Sequence, residues 1–188
     1  QYDLAKSGRF PVVILIGGVD GAGKGEVVNL LNSWMDPRFI STFALDAATD
    51  EERERPDMWR FWRALPPKGK IGIFAGSWYT MPIVRRVYGE TRDGDLARSV
   101  AQILHFEQML VNEGALVLKL WFHLSKRTQK RRLGELAKSS KTRWRVSELD
   151  WKHFDLYDKF RKVSERVLRE TSTGVAPWLI VDGSDNRF

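Results

Sequence analysis

Five consecutive apolar residues, Val12-Val13-Ile14-Leu15-Ile16, run directly into Gly17-Gly18-Val19-Asp20-Gly21-Ala22-Gly23-Lys24-Gly25, and an amphipathic stretch over 26–34 follows. This junction limits the possible folds more than any other part of the chain. An unbroken apolar run suits a strand buried on both faces, as in a parallel sheet, rather than a strand with one wet face. The glycines after it let the backbone curl so that successive N–H groups face an anion. The start of the next helix adds unpaired donors and the positive end of its dipole. Gly18-x-x-x-x-Gly23-Lys24 fits the phosphate-binding loop, or P-loop, and the flanking strand and helix are the context that motif requires. The expected phosphate-binding residues here are Gly18, Gly21, Ala22, Gly23, Lys24 and Gly25, with Lys24 supplying the full positive charge.

The loop departs from the common pattern at one position. A standard P-loop carries Ser or Thr after the lysine, and that hydroxyl holds Mg²⁺. Here the residue is Gly25, so a metal must be held otherwise. Asp20, inside the loop, is the candidate to orient a metal-bound water or an attacking phosphate; an aspartate here also suits simple turn stabilisation.

The rest of the chain alternates strands with helices. Residues 39–44 and 70–74 read as short strands, 116–124 as another apolar strand and 177–181 as a last buried strand. Residues 50–65, 95–113, 125–141 and 149–171 read as helices, the last bent near Trp151. On the first helix, Val27, Leu30, Leu31 and Trp34 share a face; on 95–113 the core face is Leu96, Val100, Ile103, Leu104, Phe106 and Leu110. Such alternation predicts an α/β fold, a parallel sheet covered by helices on both faces, and 188 residues suffice for one domain, 1–188. Residues 75–80 lie just past the carboxyl end of a strand, where open α/β sheets place ligands. Trp78 and Tyr79 are therefore candidates for site contacts, whereas Trp59, Trp62, Trp121, Trp151 and Trp178 are expected in the core.

The formal net charge of +7 favours polyanionic partners, although a solvated basic surface fits it equally well. Location is more telling than the sum. Lys126, Arg127, Lys130, Arg131, Arg132, Lys138, Lys141, Arg143 and Arg145 crowd one stretch in which Glu135 is the sole acid. Trp144 is the only aromatic residue in that stretch, which argues against a nucleic-acid groove. The chain has no cysteine, which excludes disulfides and thiolate metal sites, and His105, His123 and His153 show no metal-ligand spacing. None of the histidines is assigned a catalytic role, and His105 and His123 are expected to be structural. No apolar run approaches the ~20 residues of a membrane span. A cytoplasmic location without membrane attachment is expected.

The wider motif set is similar to that of the second polyphosphate kinase family. Gly18 to Gly25, Asp36-Pro37-Arg38, Trp59-Arg60-Phe61, Leu65-Pro66, Gly72-Ile73-Phe74 and Ser77-Trp78-Tyr79 fall in that family's order. So do Phe106-Glu107, Lys119-Leu120-Trp121, Ser125, Gln129, Arg132, Trp144, Ser147, Asp150, Thr171 and Ala176-Pro177-Trp178. The resemblance implies a P-loop kinase fold like that of thymidylate kinases, with a basic helical lid at about 125–146. It implies Mg²⁺-dependent phosphoryl transfer between inorganic polyphosphate and a nucleoside mono- or diphosphate such as AMP or ADP. It implies catalytic roles for Asp20, Lys24 and Arg132, with Asp20 also holding the metal. Further phosphate contacts are expected from Arg38, Lys126, Arg127, Arg131 and Arg132.

The chain also breaks the family pattern. Members usually read Phe-Asp-Arg-Ser-Trp-Tyr where this chain reads Phe74-Ala75-Gly76-Ser77-Trp78-Tyr79. The missing Asp would help hold Mg²⁺ and the missing Arg would contact phosphate. Arg85 stands where the family carries Glu, and Leu136 stands near the place of a second lid arginine. Besides Asp20, only Asp46 and Glu51 remain as metal-binding candidates. Some members carry two such domains in tandem, one of them degenerate. With its eroded site and its end at Asn186-Arg187-Phe188, this chain resembles the N-terminal half of such a tandem, and a second homologous domain or a homo-oligomeric partner is expected. The alternative functions are a polyphosphate- or nucleotide-binding half without catalysis and, further off, an ATP-dependent nucleotide kinase or nucleic-acid-binding ATPase.

Overall fold

The computed structural model describes residues 1–45 and 47–185. Asp46 lies outside the described residues. Five strands, β1 (Val12–Gly18), β2 (Ile40–Ala44), β3 (Ile71–Ala75), β4 (Leu116–His123) and β5 (Trp178–Asp182), form one sheet in the order β2-β3-β1-β4-β5. Every pairing is parallel. Central β1 explains its unbroken apolar sequence. Val13 and Leu15 enter one core cluster while Val12, Ile14 and Ile16 enter the other.

The first cluster packs β1, β3 and β4 against α4 (Trp59–Ala64), α5 (Thr80–Tyr88), α6 (Asp93–Asn112) and α9 (Tyr157–Thr171). Leu96, Val100, Ile103, Phe106 and Leu110 of α6 are buried there as their spacing predicts. The opposite face carries α1 (Tyr2–Ser7) and α2 (Lys24–Trp34). Only part of the expected α2 face reaches the sheet. Val27, Val28 and Leu31 pack on it, whereas Leu30 is 43% and Trp34 72% exposed, because the helix rolls to present 27, 28, 31 and 35.

Two helix expectations are corrected, and two helices are added to those the sequence predicts. The stretch 50–65 is two short helices, α3 (Asp50–Arg53) and α4, because Pro56 supplies no N–H to continue the first. Thr49 starts α3 with a reciprocal capping box to Glu52. Helix α5 escapes sequence reading because Pro82 lies within it. Pro82 sits in the first turn, where a missing N–H leaves no intrahelical bond unmade. Helix α1 is too short to show a period. The bend expected near Trp151 falls at Leu156, between α8 (Glu148–Asp155) and α9, and Ser147 caps α8 through Asp150.

One charged group lies in the middle of the core. Lys119 on β4 is completely buried, and its ammonium donates to Glu107 Oε2 of α6 at 2.7 Å and to the Thr171 carbonyl at 2.7 Å. Glu107 Oε1 accepts from Tyr79 Oη at 2.6 Å and Trp78 Nε1 at 3.0 Å. Burial weakens Lys119's hold on its proton against the pull of Glu107, and burial followed by the Glu107 charge raises the Tyr79 phenol. Every charge in this network is therefore paired and hydrogen-bonded, as a buried ion pair requires. It ties the segment after β3 to α6, β4 and the end of α9. Trp78 is thus a core residue and not a site contact. Trp62 is 48% and Trp151 36% exposed, contrary to their expected core placement, and His105 is exposed on α6.

Candidate phosphate site

The site lies at the carboxyl end of β1. Gly18 ends the strand with φ +135°, and a Cβ there would sit 2.1 Å from the Phe122 carbonyl oxygen of β4. Only glycine allows the two backbones to run together to the mouth of the loop. The Val19 amide then donates to that same Phe122 carbonyl at 3.0 Å. Helix α2 begins at Lys24, so its free N–H groups open onto the turn.

Lys24 Nζ donates to the Gly18 carbonyl at 2.7 Å and lies 3.4 Å from Asp20 Oδ1. The other Asp20 oxygen meets His153 Nδ1 of α8 at 2.8 Å. Burial would raise the Asp20 carboxyl, but the His153 hydrogen bond and the nearby Lys24 charge outweigh it and hold it below the usual range. Asp20 thus serves as an internal counter-anion for the loop lysine.

The basic stretch after β4 lies on this loop. Helix α7 (Lys126–Lys138) starts at Ser125, whose hydroxyl caps it by accepting from the Thr128 amide. Gln129 donates from Nε2 to the Asp20 carbonyl at 3.0 Å. Its Oε1 is buried and has no partner among the described residues. Leu133 packs beside Gly21. Arg132 Nη1 donates to the Gly183 carbonyl at 2.8 Å, in the turn that follows β5 and presses on Ala22. Arg145, in a single 3₁₀ turn (Arg143–Arg145), pairs with Glu26 in the first turn of α2.

Gly18, Gly21, Ala22, Gly23, Lys24, Gly25, Asp20 and Arg132 are therefore brought together. The other predicted phosphate contacts are not. Arg38 precedes β2 at the amino end of the sheet, opposite the loop, and is held by Asp36 at 2.7 Å in an Asx-type turn. Lys126 reaches outward to Asp158 at 2.6 Å, Arg131 lies 4.0 Å from Glu135 on the exposed side of α7, and Arg127 is exposed. A helix presents one face to the loop, and positions 129, 132 and 133 fill it. Glu51, on α3, is exposed, and no group of three His, Asp or Glu side chains suited to a metal occurs among the described residues. Gln129, Arg145 and His153 were missed as site residues. The missed signal for His153 is distance along the chain: 133 residues separate it from Asp20, so no local spacing reveals the pair.

A cavity of about 380 Å³ opens beside the loop. Its walls include Ala75, Gly76, Tyr79, Ile83, Val84, Trp121, Phe160 and Trp178. Gly76 has φ +94°, and a Cβ there would come within 2.7 Å of the Leu45 carbonyl oxygen. Arg85 is exposed and does not line the cavity.

Comparison with known proteins identifies the family. The family model described as Polyphosphate kinase 2 matches residues 1–188. A Pseudomonas aeruginosa protein named polyphosphate:AMP phosphotransferase is 50% identical over the whole chain, which spans 38% of that relative's length. A Mycobacterium tuberculosis GDP-polyphosphate phosphotransferase is 32% identical over 91% of the chain and 58% of its own length. The crystal structure of polyphosphate kinase 2 from Arthrobacter aurescens TC1 superposes with a TM-score of 0.92 at 29% identity, covering 96% of this chain and 65% of that one. The chain is a member of the polyphosphate kinase 2 family.

Proposed function

We propose that this chain takes part in polyphosphate-dependent phosphoryl transfer to a nucleoside mono- or diphosphate. The observation that carries this reading is the delivery of Gln129, Arg132 and His153 from α7 and α8 onto a glycine-cradled loop with its own lysine. Phosphoryl transfer requires positioning and charge stabilisation more than covalent chemistry from the protein. Lys24 exchanges the Gly18 carbonyl for a phosphate oxygen, the loop amides hold the remaining oxygens, and Arg132 leaves Gly183 to meet the charge on the transferring group.

Mg²⁺ fits the residues present only in the form that keeps several waters and relies on one or two carboxylates plus substrate phosphates. Asp20 would hold it. Gln129 Oε1, the buried acceptor without a partner, is the kind of orphaned polar atom that the ion's hydration shell would satisfy. Magnesium, when bound, supplies neutralisation of the phosphoryl oxygens.

A second reading is favoured by Ala75 and Gly76: a half that binds substrate and leaves turnover to a homologous partner domain. Comparison of the purified protein with Lys24→Ala and Lys24→Met variants, given polyphosphate, Mg²⁺ and AMP or ADP, tests the first reading. Loss of turnover in both variants is expected. No turnover by the unsubstituted chain, with tripolyphosphate binding lost in both variants, would assign this site to binding alone, and binding unchanged in both variants would refute both readings.

A further inference from the structure

Asp20 is gripped at two points by the elements that follow β4. Its carbonyl accepts from Gln129 Nε2 of α7 at 3.0 Å, and its carboxylate meets His153 Nδ1 of α8 at 2.8 Å. A carboxylate held below its usual range is ionised at neutral pH and can only accept, so Nδ1 is the donor. The ring that carries this N–H has little freedom. It is mostly buried, with Phe160 of α9 edge-on at 4.9 Å and Tyr88, at the end of α5, tilted at 6.0 Å. Three helices thus fix the direction of one N–H bond, and that bond ends on Asp20 Oδ2. The loop holds the carboxylate less closely by itself. Lys24 Nζ lies 3.4 Å from Oδ1 and makes its short bond, at 2.7 Å, to the Gly18 carbonyl.

We infer that His153 is a positioning residue that fixes the Asp20 carboxylate in the direction from which it receives a divalent cation, an inference that rests on the reading of Asp20 as the metal-holding residue. Two carboxylate oxygens offer about four lone-pair sites, so one hydrogen bond to Oδ2 leaves room for a cation. A hydrogen-bond partner behind a ligating carboxylate holds it in one orientation, and losing such a partner typically costs about 10–100-fold in metal affinity. The side chains at Gly25 and Ala75 offer no oxygen, so the direction of the Asp20 carboxylate counts for more.

The contact also joins two parts of the fold. Helix α7, the 3₁₀ turn and α8 follow one another along the chain, and they supply both grips on Asp20. A shift of α8 away from the loop removes the His153 bond and frees the carboxylate to turn. Cation binding at Asp20 and the seating of α8 therefore favour one another, as two linked equilibria must.

Manganese serves as the probe. Binding of manganese tripolyphosphate to the purified protein is followed by water-proton relaxation, and binding of metal-free tripolyphosphate by calorimetry. His153→Phe keeps a ring beside Phe160 and removes the donor. It is expected to weaken manganese tripolyphosphate about 10–100-fold and metal-free tripolyphosphate by less than about twofold. His153→Leu, a second variant without a donor, should do the same. His153→Asn, whose amide N–H can stand near the place of Nδ1, should stay within about threefold of the parent for both probes. Manganese tripolyphosphate affinity unchanged in the Phe and Leu variants would overturn the inference. Equal weakening of both probes would also overturn it, because His153 would then only support the loop's structure. An Asn variant as weak as Phe would overturn the hydrogen bond as the cause. An Asp20→Asn variant that keeps the parent's preference for the manganese complex would overturn Asp20 as the metal-holding residue, and the inference with it.

Discussion

Replacing Lys119 with Met should strand the Glu107 carboxylate in the core. The ammonium makes two 2.7 Å hydrogen bonds, to Glu107 and to the Thr171 carbonyl, and both partners are buried with it. Without it, Glu107 keeps only the two neutral donors from Trp78 and Tyr79. Removing one member of a buried pair costs about 3–5 kcal/mol. For a chain of this size each kcal/mol lowers the melting temperature by about 2–4 °C, so a fall of about 6–20 °C is expected. Adding Glu107→Gln should return at least half of the loss, because the amide oxygen still accepts from Trp78 and Tyr79 and carries no charge. The sign with pH follows. In the single variant the folded state favours protonated Glu107, so its pKa is raised above the unfolded value. The stability this allows is present at low pH and is lost as pH rises through the raised pKa. The deficit relative to the parent should therefore be smaller at pH 5 than at pH 8. Urea unfolding followed by tryptophan fluorescence measures all four combinations. A double variant no more stable than Lys119→Met, or a deficit that does not change with pH, would refute the stranded charge as the cause.

Changing Gly76 to Arg should destabilise the chain by about 1–3 kcal/mol, since φ is +94° and the Leu45 carbonyl stands 2.7 Å from a Cβ; an unchanged urea midpoint would contradict this. His153→Phe keeps a ring against Phe160 but removes the bond to Asp20, and the Asp20 carboxyl should then titrate at higher pH in a carboxyl-detected NMR series. Burial, followed by the Arg161 charge, depresses His123, so its contribution to stability is full above about pH 6.5 and falls as pH drops towards its folded value. A His123→Gln variant should lose that slope in thermal melts. Polyphosphate affinity should fall steeply with added salt, and more shallowly after Arg132→Ala, if the site holds phosphates by charge.

The loop and the sheet were legible because both are written locally. An apolar run, glycines and a lysine specify a strand, a turn and a helix start within fourteen residues, 12–25. The alternation of elements then implies parallel pairing. What sequence could not show was which side of each basic helix faces the loop. Arg132 and Arg131 are neighbours in the chain, yet one bonds Gly183 and the other lies outward near Glu135. Nor could it show the Glu107–Lys119 pair, although a lysine in the middle of an apolar strand calls for a buried partner. The misplacement of Arg38 had a similar origin. A basic residue belonging to a matched motif was assigned to phosphate, while its Asp36 neighbour had already closed a turn with it at the far end of the sheet.

The approach of Gly18 to the Phe122 carbonyl bears on what the shape of the loop depends on. The cradle is held by main-chain packing between β1 and β4, which depends on no rim side chain. Side chains around the mouth can therefore change without altering this main-chain packing. Any side chain at 18, by contrast, would press the two strands apart, so the loop's shape is set by the position that carries none.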